Sequence, residues 1–358
     1  MIHPSSRSLE WMKQVASENG MTDIALVEKV IRAFSLLESL VLSGCPFIFK
    51  GGTAVMLQMD SAKRLSIDID IICPIGTNIE EYIRKCTGKY GFGEFKLVQR
   101  DVVHKLPVTH AKFFYELTYV TNAQIECVLL DVLFEDVCYQ NVVKLPIRSR
   151  FLKVEGEPVY VNVPSVEDLL GDKLTAFAPN TTGIPYFKRG RDCSMEIIKQ
   201  LFDIASLFDV AEDIVLVGNT FKRLVVAELR YRNLNPEDVT QVLDDIFQTS
   251  LCICLRGQED PNAFERLQAG IKRIKHFIHG ERYSLDSAIV NASKAAYLST
   301  LIARGATEIV RFNLAKADQL RNILIEAPLH TKLNKLKKTN IEAFFYWNEI
   351  GKWVLHTA

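Results

Sequence analysis

Residues 50 to 70 read Lys50-Gly51-Gly52-Thr53-Ala54-Val55-Met56-Leu57-Gln58-Met59-Asp60-Ser61-Ala62-Lys63-Arg64-Leu65-Ser66-Ile67-Asp68-Ile69-Asp70. Two carboxylates, Asp68 and Asp70, stand two residues apart in an apolar run that continues through Ile71 and Ile72. Side chains alternate across a strand, so a strand over 66–72 puts both aspartates on one face and the isoleucines on the other. Burying two negative charges is costly unless a cation neutralises them. Mg²⁺ ions are the usual solution, and they bring a nucleotide's triphosphate with them. The segment therefore points to nucleotidyl or phosphoryl transfer.

The flanking sequence supplies a frame for these carboxylates. Phe47-Ile48-Phe49 reads as a short strand running into Gly51-Gly52, and Thr53 to Met59 resumes a helical pattern. Glycines let a backbone approach a phosphate closely, and a helix N-terminus favours negative charge. Taken alone the Gly-Gly-Thr turn is a weak signal. Followed one helix later by the carboxylate strand, it is a specific one.

Working outward, residues 24–43 carry helical spacing of apolar residues, with Gly44 suited to a helix end. Pro74 ends the carboxylate strand. Residues 79–86 read as a helix, and a glycine-rich stretch follows at Gly88, Gly91 and Gly93. Residues 111–120 and 124–134 are strand-like, with Thr121-Asn122 as a hairpin turn between them. Val159 to Val163 reads as one more strand, stopped by Pro164, and from Ser165 onward the pattern is helical almost throughout. A division at 164/165 is expected: a mixed α/β domain over 1–164 with N-terminal helices, then an all-α domain over 165–358.

Composition narrows the class. The 358 residues are 48% hydrophobic and 24% charged, with zero formal net charge. No strong overall field attracts nucleic acid, so any RNA contact needs a local basic patch. No run of about 18 uncharged apolar residues is present, and Met1 to Trp11 shows no signal-peptide pattern, so a cytoplasmic protein with no membrane span is expected. Eight cysteines without a Cys-x-x-Cys pair read as reduced core thiols. His276 and His279, three apart on an expected helix, are a minor candidate for a metal pair.

Lys50-Gly51-Gly52-Thr53-Ala54, then Arg64-Leu65-Ser66-Ile67-Asp68-Ile69-Asp70, resembles the signature of the AbiEii family of nucleotidyltransferases, the toxins of bacterial toxin–antitoxin pairs. The resemblance implies a polymerase-β-like nucleotidyltransferase core with a mixed sheet, followed by a helical domain that completes the active-site cleft. It implies that Asp68 and Asp70 hold two Mg²⁺ ions. Gly51, Gly52, Thr53 and Ser66 would bind the nucleotide. A third carboxylate on a neighbouring strand would complete the metal site and act as base. Asp131, in Leu-Leu-Asp-Val-Leu, fits the family's apolar-Asp-apolar pattern; Glu126 competes, and the two face opposite sides of a regular strand.

Farther along, the family carries a lysine in a Leu-x-x-x-Lys-x-x-Ala helix, matched by Lys173. That match makes it a catalytic candidate that contacts the triphosphate. The alternative is a stem packed on the core with its ammonium reaching water. Asp203 matches the second aspartate of the family's Arg-Asp-x-x-Asp helix, whereas Lys199 and Gln200 replace the preceding arginine and aspartate. Asp203 could bind the nucleotide, hold Lys173, or simply pair with Lys199 on a surface. Between these helices, residues 179–192 read as a loop made basic by Lys188, Arg189 and Arg191, a candidate grip on phosphate or RNA. From Arg256 onward basic residues exceed acidic ones by six, concentrated at 331–338 beside Phe344, Phe345, Tyr346 and Trp347. Such a stripe could hold RNA, or it could be a solvated face beside core aromatics.

The expected activity is transfer of a nucleoside monophosphate from an NTP to an acceptor. The resemblance implies RNA, at the tRNA acceptor end, and restraint by a cognate antitoxin. The alternatives are the same core acting on a protein or small molecule, and a non-catalytic nucleotide-binding module.

Overall fold

The computed structural model describes residues 1–21, 23–59, 63–98, 108–120 and 124–355. The chain forms two compact units: residues Met1–Ser165 with Phe277–Glu281, and Val166–His276 with Arg282–Ala358.

The first unit opens with α1 (Leu9–Glu18) and α2 (Ile24–Leu42), the latter capped by Asp23, whose carboxylate accepts from the Leu26 amide. β1 (Ile48–Lys50), α3 (Gly51–Gln58), β2 (Ile69–Cys73) and α4 (Ile79–Cys86) follow. Then come β3 (Phe92–Val98), β4 (Val108–Glu116), β5 (Ile125–Phe134), β6 (Val142–Pro146) and β7 (Tyr160–Pro164). Among the described residues β1 to β5 make one mixed sheet in the order β1-β2-β5-β4-β3. β2 and β5 run parallel, and the other neighbouring pairs are antiparallel. Ile69, Ile71 and Ile72 of β2 and Val128, Leu130 and Val132 of β5 are fully buried, and α2 lies against these strands. β6 and β7 form a separate ribbon next to β1.

Part of this unit comes from late in the sequence. Arg64 bridges Ile278, the Leu65 amide donates to the Phe277 carbonyl at 2.7 Å, and the His279 amide donates to the Lys63 carbonyl at 2.9 Å. Residues 277–281 thus act as a short strand pinning the chain just before the aspartate pair. His276 and His279 do not share a helix: His276 ends in a 3₁₀ turn and His279 lies in this paired segment. The shared helix face on which a metal pair was expected is absent.

The second unit is helical, with α5 (Val166–Ala176), a two-stranded turn of β8 (Phe187–Lys188) and β9 (Arg191–Asp192), α6 (Ser194–Phe208), α7 (Ile214–Tyr231) and α8 (Val239–Cys254). It continues with α9 (Pro261–Ile274), α10 (Leu285–Arg304), α11 (Leu336–Thr339) and α12 (Ile341–Leu355). α10 is the central element, closed by a Ser284–Ser287 capping box at one end and Gly305 in the left-handed region at the other. α9 crosses α6 at Gly270, where an added Cβ would lie 2.4 Å from the Ser194 carbonyl oxygen. Backbone cannot yield there, so Gly270→Ala should destabilise the protein by about 1–3 kcal/mol, read from a denaturant melt.

The mixed α/β core followed by helices is the expected fold class, and most elements fall where the hydrophobic pattern put them. Several details differ, and β6 (Val142–Pro146) is a strand the sequence reading did not expect. The aspartate strand begins at Ile69, leaving Asp68 as the extended residue just before it. The glycine-rich stretch after Cys86 contains β3, whose side chains the glycines obscure as a strand pattern. Residues 306–335 hold 3₁₀ turns rather than α-helix. The Thr121-Asn122 turn lies outside the described residues. The cysteines are free thiols, and burial pushes Cys252 and Cys254 up to about 11, which keeps them protonated. No helix of the described residues is long and apolar enough to cross a membrane.

Candidate active site

Strand register assembles the centre of the first unit. Lys50 pairs with Asp70, Asp70 with Asp131, and Asp131 with His110. Directly paired residues project to the same face of a sheet, and strands lie about 4.8 Å apart. Lys50, Asp70, Asp131 and His110 therefore form one lateral row across β1, β2, β5 and β4. The opposite face is the apolar core, because the neighbours of the row, Ile69, Ile71, Leu130 and Val132, are all buried. Asp131 keeps a side chain 38% exposed, so the row is open to a ligand.

The glycine turn closes on this row. Gly51 adopts a φ of +80°, and a Cβ there would sit 2.0 Å from the Asp70 Oδ2. Glycine is required twice over, for the left-handed backbone and for the close approach of the carboxylate. Gly52 is packed in the same way: its missing Cβ would lie 2.6 Å from an Arg64 guanidinium nitrogen and 2.7 Å from the Ser66 Oγ. Thr53 is buried, and its hydroxyl donates to the Asp68 carbonyl oxygen at 2.6 Å. The N-terminus of α3 is thus bolted to the aspartate segment through Gly51, Gly52 and Thr53. Gly51→Ala should lower nucleotidyl transfer by about 100-fold, since displacement of a reacting group by about 1 Å costs that much. Rates set beside the variant's melting curve check this, with retention of more than half the rate as the contrary outcome.

The two candidates for the third carboxylate separate cleanly. Asp131 stands beside Asp70 in register, whereas Glu126 pairs with Tyr115 at the other end of β5 and forms an ion pair with Lys29 at 2.8 Å. The strand register brings Asp131, not Glu126, next to Asp70. It also supplies a residue the sequence gave no reason to single out. His110 Nδ1 lies 2.5 Å from Asp131 Oδ1, with the imidazole only 14% exposed. A lone histidine at a strand start carries no signal by itself; only the antiparallel register of β4 on β5 identifies it.

Asp68, Asp70 and Asp131 are hard oxygen donors, and that chemistry fits Mg²⁺. Among the described residues no three or more His, Cys, Asp or Glu side chains converge as a ready-made metal cage. Mg²⁺ does not need one, because it usually binds through one or two carboxylates, several waters and the substrate's phosphates. Asp70 at the Gly51 turn, with Asp131 beside it in register, offers carboxylates of that kind.

Lys173 and Asp203 belong to the second unit and are described within it. Both are buried, with side chains 8% and 3% exposed, and their ion pair is 2.9 Å long. The ammonium also donates to Gln200 Oε1 at 3.0 Å. Lys173 therefore does not reach out to water, and Asp203 lies in the interior rather than on the surface. Gln200, which replaces an aspartate of the family pattern, serves here as a neutral second acceptor. The basic loop is mostly turns, ending in the β8–β9 hairpin that displays Lys188, Arg189 and Arg191 on the surface. At the C-terminus, Phe344, Tyr346 and Trp347 are core residues. Lys337 lies over the Phe344 ring and donates to the Ile323 and Arg321 carbonyls, so it braces the fold.

The chain is similar to two solved Helicobacter pylori structures, JHP933 and a putative nucleotidyltransferase. Identities are 14% and 15%; each match covers 78% of this chain and 93% and 96% of the other, with a TM-score of 0.44. An antigenic nucleotidyltransferase-like protein from Paracoccidioides brasiliensis matches at 16% identity and TM-score 0.34, over 60% of this chain and 93% of that one. No curated protein sequence matches. The family described as nucleotidyl transferase AbiEii toxin, type IV TA system, matches residues 35–321. That span takes in the glycine turn, the aspartates Asp68, Asp70 and Asp131, and the buried Lys173–Asp203 pair, and the chain belongs to the AbiEii family of nucleotidyltransferase toxins.

Proposed function

We propose that this nucleotidyltransferase moves a nucleoside monophosphate from an NTP to RNA, at the tRNA acceptor end, and acts as the toxin of a toxin–antitoxin pair. The observation that carries the reading is the lateral row of Lys50, Asp70, Asp131 and His110 beneath the Gly51 turn. The backbone of Gly51 and Gly52 and the N-terminus of α3 receive the triphosphate, with Thr53 and Ser66 holding the turn in place. Asp68 and Asp70 hold Mg²⁺, with Asp131 as the third oxygen donor. When bound, Mg²⁺ supplies Lewis-acid stabilisation of the charge that builds on the α-phosphate and the departing pyrophosphate. Asp131 accepts the proton of the acceptor hydroxyl as its oxygen bonds to the α-phosphorus and pyrophosphate leaves.

RNA is the acceptor best supported on a chain without net charge by its exposed local charge, and the Lys188–Arg191 hairpin supplies such charge. The test is label transfer. Protein, Mg²⁺ and total RNA meet each α-labelled NTP in turn. Label is expected on a tRNA-sized band with one nucleotide, and it should disappear when EDTA removes the metal. Label on protein alone, stable to RNase, would overturn the RNA reading. The toxin role predicts growth arrest on expression of the wild-type chain and none with Asp68→Ala/Asp70→Ala.

A further inference from the structure

We infer that His110 is a positioning residue for the nucleotidyl transfer, holding the Asp131 carboxylate in the orientation that serves the acceptor hydroxyl. This rests on the reading of Asp131 as the third carboxylate of the site.

An ionised carboxylate only accepts hydrogen bonds, so the Nδ1 of His110 carries the proton and donates it to Asp131 Oδ1. The 2.5 Å contact joins two residues that are direct cross-strand partners on β4 and β5. Both backbones are fixed by a ladder from Val108↔Leu133 to Glu116↔Ile125. The imidazole is mostly covered while the carboxylate is more than a third exposed. The geometry is that of a held group and its holder: the covered ring fixes one carboxylate oxygen, and the other oxygen is left for chemistry. Without the ring, the carboxylate rotates about its terminal torsion, which has broad preferences of its own. Asp70, its neighbour on β2, carries the same charge, and like charges directly opposite across strands repel. The His110 hydrogen bond holds Asp131 in place against that repulsion.

The experiment compares His110→Phe, which fills the site without a donor, with His110→Asn, whose side-chain amide can replace the Nδ1–H. Asp131→Asn runs alongside, in single-turnover label transfer to total RNA over a series of NTP concentrations up to saturation. Removing an outer partner of a functional carboxylate typically costs 10–100-fold, so His110→Phe should slow transfer by roughly 10–100-fold. The apparent KM for NTP should move less than about twofold, and His110→Asn should recover most of the rate. His110→Phe added to Asp131→Asn should cost little more, because its effect runs through that carboxylate. Spectra of ¹⁵N-histidine-labelled protein read the contact without turnover. The His110 ring nitrogens should show a protonated Nδ1 and move in Asp131→Asn. Ring nitrogens that do not respond, or His110→Phe at full rate while Asp131→Asn is dead, would overturn the positioning role alone. A fully active Asp131→Asn would instead remove the reading of Asp131, and the proposal with it.

Discussion

Asp70→Asn should reduce nucleotidyl transfer by about 10³-fold or more, with the protein still folded. A bound cation supplies several kcal/mol of transition-state stabilisation, and about 1.4 kcal/mol is worth tenfold in rate. Asp70 is the hub of the row: its strand neighbours are Lys50 and Asp131, and Gly51 is shaped to admit its carboxylate. Asparagine keeps the volume and removes the charge, so cation binding fails while the packing survives. Asp68→Asn should act in the same direction. Its backbone carbonyl, which holds Thr53, is untouched by that change, so the turn stays in place. The measurement is the single-turnover rate of each variant against its thermal melt. Transfer within tenfold of wild type in Asp70→Asn would sink the assignment of Asp70 as a cation ligand.

The second large effect is on stability. Asp203→Ala should destabilise the protein by about 3–5 kcal/mol, because it strands the buried Lys173 ammonium without its counter-charge. Gln200 remains as an acceptor, but a neutral oxygen does not compensate a buried cation. For a helical unit of this size the loss corresponds to a fall in melting temperature on the order of 10 °C. Lys173→Met should cost less than Asp203→Ala, since the lysine stem is replaced by a similar apolar volume and Asp203 keeps interactions of its own. If Lys173 also contacts the triphosphate, Lys173→Met loses transfer at a temperature where it is folded. Equal destabilisation by both variants, with transfer intact in Lys173→Met, would make the pair purely structural.

Glycine spacing and strand alternation were enough to place Asp70 and the turn that meets it. Both are local rules: φ at Gly51 and the alternation of Ile69, Asp70 and Ile71 depend on residues within a few positions of each other. Helix and strand identities followed from the same short-range periodicity, from α2 to β5. The glycine-rich start of β3 and the 3₁₀ turns over 306–335 escaped it, because neither presents a periodic apolar face.

Some residues are defined by long-range pairing, which the sequence leaves open. The sequence favoured Asp131 over Glu126 on its apolar-Asp-apolar setting, but placing it beside Asp70 took the parallel register of β5 on β2, and His110 required the antiparallel register of β4 on β5. A slip of one residue in either ladder would turn these side chains to the other face. The return of residues 277–281 to pair beside Arg64 joins positions more than 200 apart, a closure no local pattern encodes. Asp203 as a holder of Lys173 was one of several readings the sequence left open; the packing of α5 on α6 makes that ion pair and adds Gln200 as a second acceptor. What the sequence determined by itself was the Gly51 turn and the strand that carries Asp70 against it. What the tertiary structure decided was which distant groups stand beside them, because register and packing are set by the whole core and not by any one segment.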